Sequence, residues 1–171
     1  MTHYRIVPEH SQVLIDAKSS LHPIHTRTEG LDGHLDVEVL GAGRIDLESK
    51  ALAKLSLPVE RLKSGNAFED RELRRRIDAR RFPTINGELT ELRATGTDGR
   101  YVARGDLTFR GVTNTYEDEI TITQVDDGTL RLEGAHTFDI RDFGMEPPRI
   151  LMLRVEPDVS VRVEIFAEKE D

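Results

Sequence analysis

The chain has 171 residues, 37% hydrophobic and 33% charged, with 24 basic against 32 acidic side chains and no cysteine. One domain with a proper core is therefore expected, while disulfide scaffolds, iron–sulfur clusters, thiolate zinc sites and a catalytic thiol are excluded. A net charge of −8 is the wrong sign for a general nucleic-acid binder; no apolar run reaches the ~20 residues of a transmembrane segment. The amino terminus lacks the basic and apolar regions of a secretory leader, so a cytoplasmic protein is expected.

In chain order, Val13, Ile15 and Ala17 alternate with Asp16 and Lys18. After an irregular stretch containing His22, Pro23 and His25, the period of two returns at Leu31, Leu35, Val37 and Val39. It continues at Ala53, Leu55, Leu57 and Val59, then at Tyr101, Ala103, Leu107 and Phe109, and at Tyr116, Ile120 and Ile122. Leu130, Leu132, His136, Phe138 and Ile140 form the next run, and Val159, Val161, Val163 and Ile165 the last. Such alternation predicts strands with one face in a core and one in water, in an antiparallel sheet. Asp32-Gly33, Gly41-Ala42-Gly43, Thr97-Asp98-Gly99 and Asp126-Asp127-Gly128 read as turns, the last two as hairpin connectors. Strands as long as 99–110 and 129–141 favour closure into a barrel, because long open edges invite aggregation.

One segment breaks this rhythm. Residues 67–80 carry Phe68, Leu73 and Ile77 near helical spacing among good helix formers. Asn66 is placed to cap the helix, acids follow at its positive end, and Pro83 is expected to stop it. A short helix near 66–80, packed over one end of the barrel, is predicted.

Chemistry-bearing motifs are sparse. There is no G-x-S-x-G elbow and no phosphate loop; His10-Ser11 reads as a turn, and the glycines at 41 and 43 as a hairpin. Arg74, Arg75, Arg76, Arg80 and Arg81 read either as a grip for an acidic head group or as a solvated helix face. His136 falls in register with inward apolar residues and needs a polar partner there. Together with His22 and His25 it defines the alternative reading, a haem- or metal-binding protein or enzyme. Imidazoles inside folds more often satisfy a local hydrogen bond.

The ordered motifs resemble the YceI-like family of lipocalin-like, polyisoprenoid-binding barrels. Tyr4-x-Ile6-x-Pro8-x-His10-Ser11-x-Val13-x-Ile15 is similar to the family's opening strands. Asp70-x-x-Leu73, Asp78 and Phe82-Pro83-x-Ile85 resemble its helix and the strand that follows. Gly105-x-Leu107-Thr108-Phe109-x-Gly111-Val112-Thr113 matches its hairpin, and Arg141-Asp142-Phe143-Gly144 its R-x-F-G signature. The resemblance implies an all-β fold, an eight-stranded antiparallel up-and-down barrel with a hydrophobic tunnel for an isoprenoid or fatty acyl chain, and pairing into homodimers. Residues 19–33 and 145–153 depart from the family pattern and are expected to shape the ligand.

A binding protein, with a bound lipid in place of any catalytic cofactor, is thus expected. Its inner wall should comprise Val13, Ile15, Leu35, Val37, Leu107, Phe109, Leu132, Phe138, Val161 and Val163. His136 should orient the ligand's head group, with His22 and His25 at the mouth.

Overall fold

The computed structural model describes residues 1–147, 149–150 and 153–171. Its strands are β1 (Thr2–Ile6), β2 (Gln12–Ser19), β3 (Ile24–Thr28), β4 (Asp32–Val37), β5 (Leu52–Pro58), β6 (Thr84–Ala94), β7 (Arg100–Phe109), β8 (Val112–Asp126), β9 (Thr129–Asp139), β10 (Arg149–Ile150) and β11 (Leu153–Lys169). One helix, α1 (Ala67–Ile77), interrupts them. Every ladder is antiparallel, and β1–β4–β5–β6–β7–β8–β9–β11 closes on itself through β1–β11. β2 and β3 extend β1 and β4: β11 pairs with β1 through 167–169 and with β2 through 155–164. The result is an eight-stranded up-and-down barrel of lipocalin type. Closure removes the edges that strands of 15 and 17 residues would otherwise expose.

The break between β1 and β2 is mended by a side chain. Ser11, 0% exposed, accepts a hydrogen bond from the Phe166 amide (3.1 Å) and donates weakly to the Phe166 carbonyl (3.4 Å). The expected turn covers residues 8–10, closed by the His10 amide on the Val7 carbonyl, and Ser11 just beyond it substitutes for a missing neighbour strand.

Several sequence expectations are corrected. Residues 24–28, expected to be irregular, form β3; Pro23 sits in the preceding hairpin tip, where no ladder donor is required. Asp32-Gly33 is no turn but lies inside β4, paired with Ser56 and Leu55. A Cβ on Gly33 would stand 1.9 Å from the Lys54 carbonyl oxygen, so glycine is required there by close approach of the backbone. The connectors at 97–99 and 126–128 do join hairpins, β6–β7 and β8–β9.

Asn66 caps α1 as expected, accepting from the amides of Phe68 and Glu69. The helix ends at Asp78, left-handed at φ 61°, well before Pro83. Its inner stripe is Asp70, Leu73 and Ile77, with Ile77 1% exposed, whereas Phe68 is 45% exposed and faces away from the core. Among the described residues β3 pairs only with β2, and α1 covers that side of the mouth. The preceding turn is tied to β3 by the Thr28 hydroxyl, which donates to the Arg61 carbonyl. Among the described residues no helix is long and apolar enough to cross a membrane.

Candidate ligand-binding site

Period-two alternation directs one side of every strand toward the barrel axis, and the space left there forms two cavities, of about 330 and 260 Å³. The larger lies beneath α1. Its walls include Val13, Ile15, Phe109 and Val161; Leu73 and Ile77 of the helix, with Phe143 and Met145, roof it. The smaller lies farther from α1 along the axis, among Leu35, Val37, Ile120 and Leu132. Both are bounded by Leu55, Gly87, Leu107, Phe138 and Val163, so they are two halves of one tunnel meeting at a waist. Many of these apolar side chains, among them Ile15, Leu107, Phe109, Leu132, Val161 and Val163, are only half-buried although they point inward.

Glycines keep the lumen open here. Gly87, Gly105 and Gly134 occupy inward positions, opposite Leu107, Tyr116 and Ile120 respectively. They add no side chain to the lumen. A Cβ on Gly87 would meet nothing nearer than 3.8 Å, so bulk there would project into the tunnel. A glycine at an inward position of a strand marks close approach by something else, and that signal was present in the sequence.

The Arg141–Gly144 signature shapes the roof. Arg141 forks onto the Asp139 carboxylate, with Nε–Oδ1 at 3.0 Å and Nη2–Oδ2 at 2.7 Å. This bond and the Arg141 amide hold the Asp139 carboxyl below its ordinary range. The 3-10 turn so fixed buries Phe143, and Gly144 ends it at φ 71°. At the other side of the roof, buried Asp70 accepts from the Ser64 amide and hydroxyl, both at 2.8 Å.

One polar cluster in the tunnel wall gathers around His136. His136 points inward, as its register predicted: Val161, directly opposite on β11, lines the larger cavity. Its Nδ1 pairs with Asp118 Oδ2, and its ring lies 4.5 Å from Phe138 and 5.0 Å from Tyr116. The cavity-lining polar residues of this group are Asp118 and Tyr116 rather than the imidazole itself. Neither was singled out from sequence as polar wall, although Tyr116, Asp118 and Ile120 keep one alternation. The Tyr116 hydroxyl is buried with no hydrogen-bond partner among the described residues; the nearby Asn114 amide donates instead to the Asp142 carbonyl, at 2.9 Å. Burial, and next the Asp142 charge, raise the phenol above its ordinary pKa.

The expected company of histidines does not form. His25 stands opposite Asp16 on the outer face of β2–β3 and pairs with that carboxylate, its side chain 69% exposed. His22 is exposed in the hairpin tip, its ring against the Pro23 carbonyl at 3.0 Å. Alternation puts His25 and His136 on opposite faces of the wall, so neither a shared metal nor a shared haem position results. Among the described residues no cluster of three or more histidine, aspartate or glutamate side chains could hold a metal ion. Of the divergent segment 145–153, Met145 lines the larger cavity; Pro148, Leu151 and Met152 lie outside the described residues.

An eight-stranded antiparallel barrel around an apolar axial tunnel, roofed by one helix, defines a lipocalin-like protein. The chain belongs to the YceI-like domain family, whose model matches residues 4–167. Among solved structures it is similar to BcnA of Burkholderia cenocepacia, at 15% identity and TM-score 0.77, over 94% of this chain and 98% of that one. It is also similar to a polyisoprenoid-binding domain from Saccharophagus degradans implicated in plant cell wall breakdown, at 13% identity and TM-score 0.79, over 99% and 100%. A YceI protein of Campylobacter jejuni aligns at 13% identity and TM-score 0.67, over 90% and 85%. No curated protein matches the chain in sequence.

Proposed function

We propose that the chain binds and carries a long apolar amphiphile, of isoprenoid or fatty-acyl type, threaded along the barrel axis. The observation that carries this reading is the tunnel itself: two cavities with largely apolar walls sharing one waist. Burying about 400 Å² of a chain's apolar surface contributes roughly 10 kcal/mol before the costs of association, enough for useful affinity with few polar contacts. The similarity to a polyisoprenoid-binding domain supports the same reading. In it, Val13, Ile15, Phe109 and Val161 grip one half of the ligand, and Leu35, Val37 and Leu132 the other. Leu107, Phe138 and Val163 hold it at the waist, and the Asp118–His136 pair meets a polar oxygen. A homodimer belongs to the same reading and is tested by light scattering.

Native mass spectrometry after gentle purification, and after incubation with a long-chain prenol or a fatty acid, tests the proposal. A one-to-one adduct is expected. A protein that stays empty with every prenol and acyl chain offered overturns it.

A further inference from the structure

Charge is divided unevenly along this acidic chain. Residues 61–81, which hold α1, carry eight basic and four acidic side chains, a net of +4, while the remaining 150 residues carry −12. The structure places this one basic segment at the tunnel's mouth, since α1 lines the larger cavity with Leu73 and Ile77. The outward stripe of the helix runs through exposed Phe68, Arg71 and Arg75, and exposed Arg80 and Arg81 follow it. Arginines on the strands, such as Arg93, Arg100 and Arg131, are matched by carboxylates within 3.2 Å. On the helix, Arg75 reaches Glu72 only at 3.9 Å, and among the described residues Arg71, Arg80 and Arg81 make no ion pair. Two elements that line this cavity each expose an apolar side chain: Phe68 on α1, and Leu21, at 72% exposure, in the tip of the β2–β3 hairpin. That hairpin flanks the same cavity through Ala17 and Ile24.

We infer that α1 and the β2–β3 tip form a docking face for an anionic lipid bilayer, with the tunnel mouth turned toward the membrane. Unneutralised guanidinium groups beside protruding apolar side chains match the chemistry of such a surface: phosphate head groups above, acyl chains just below. The acidic remainder of the barrel is repelled from the same surface, so orientation follows from the charge division alone. The surface's use in loading ligand rests on the ligand-carrying reading above; the docking does not.

Co-sedimentation of the full chain with phosphatidylglycerol-containing vesicles and with pure phosphatidylcholine vesicles, at low and high salt, tests this. Binding is expected to the anionic vesicles only and to fade as salt rises. Each basic residue near an anionic surface strengthens binding about fivefold, so the triple change Arg71→Glu, Arg75→Glu, Arg80→Glu is expected to weaken it at least tenfold. A control with the same net-charge change on exposed strand positions, Lys54→Glu, Arg104→Glu, Arg162→Glu, is expected to bind within about threefold of the natural chain. Gly87→Leu, altered only inside the tunnel, is expected to dock normally, which separates failure of docking from failure of ligand carriage. Equal binding to both vesicle types, or equal loss in helix and control variants with circular dichroism unchanged, overturns the inference.

Discussion

His136 Nδ1 meets Asp118 Oδ2 on the inner face of the β8–β9 wall, a polar pair set among apolar residues around the axis. A carboxylate and an imidazole together can both accept from and donate to a ligand oxygen, which an oily wall cannot. Replacing His136 by Phe keeps bulk beside Phe138 and removes the partner that orients the cavity-lining Asp118; affinity for a prenol is expected to fall by roughly 1–2 kcal/mol, about tenfold, with the fold intact. Asp118→Asn should cost a similar amount. Titrations in which both variants bind like the natural chain, while Phe138→Ala loses affinity, would show that the tunnel works through apolar contact alone.

Gly87 is where the two cavities join. Leucine there has room at Cβ, with the nearest atom 3.8 Å away, but its remaining atoms must fill the waist. Ligand uptake is expected to vanish in native mass spectrometry while the melting temperature stays level or rises, because the added methyl groups pack against Leu55 and Leu107. Uptake equal to that of the natural chain would move the ligand's path elsewhere.

Ser11→Ala removes the hydroxyl that closes the β1–β2 break and leaves the buried Phe166 amide without its acceptor. A loss of about 1–3 kcal/mol follows, read as a drop of roughly 2–10 °C in melting temperature. An unchanged melting curve would mean the ladder is mended by other means.

Tyr4 and Tyr116, two of the chain's three tyrosines, are both held above the ordinary phenol value of 10.0, chiefly by burial. A raised folded value means these phenols favour the folded state fully below the unfolded value, and that contribution is lost as pH climbs through the folded one. Absorbance titration into alkali should therefore show late-ionising phenols, with one fewer in Tyr116→Phe. Loss of none would contradict the packing described around Tyr116.

Much of this architecture is legible in the residues themselves. A period of two is a local property, so the strands carrying Leu35 and Val37, or Val161 and Val163, could be assigned and oriented from their own residues. The Asn66 cap was legible for the same reason, since its bonds reach only two and three residues onward. Phe68 misled because spacing alone does not say which stripe of a short helix finds a partner. β3 was hidden by Pro23 and two histidines, and it forms because β2 offers a complementary edge.

By itself, then, the sequence determined an all-β chain of alternating strands, one capped helix and the family motifs at 105–113 and 141–144. Only the tertiary structure decided which inward residues meet. Asp118 and His136 lie on different strands; Ser11 and Phe166 are 155 positions apart. Alternation states the face a side chain takes, but strand register and barrel closure choose its partner across that face. For the same reason His25 and His136, alike in the sequence, end on opposite sides of one wall. The basic helix likewise became a feature of the tunnel mouth only when β3, with no second neighbour among the described residues, left that side for it to cover.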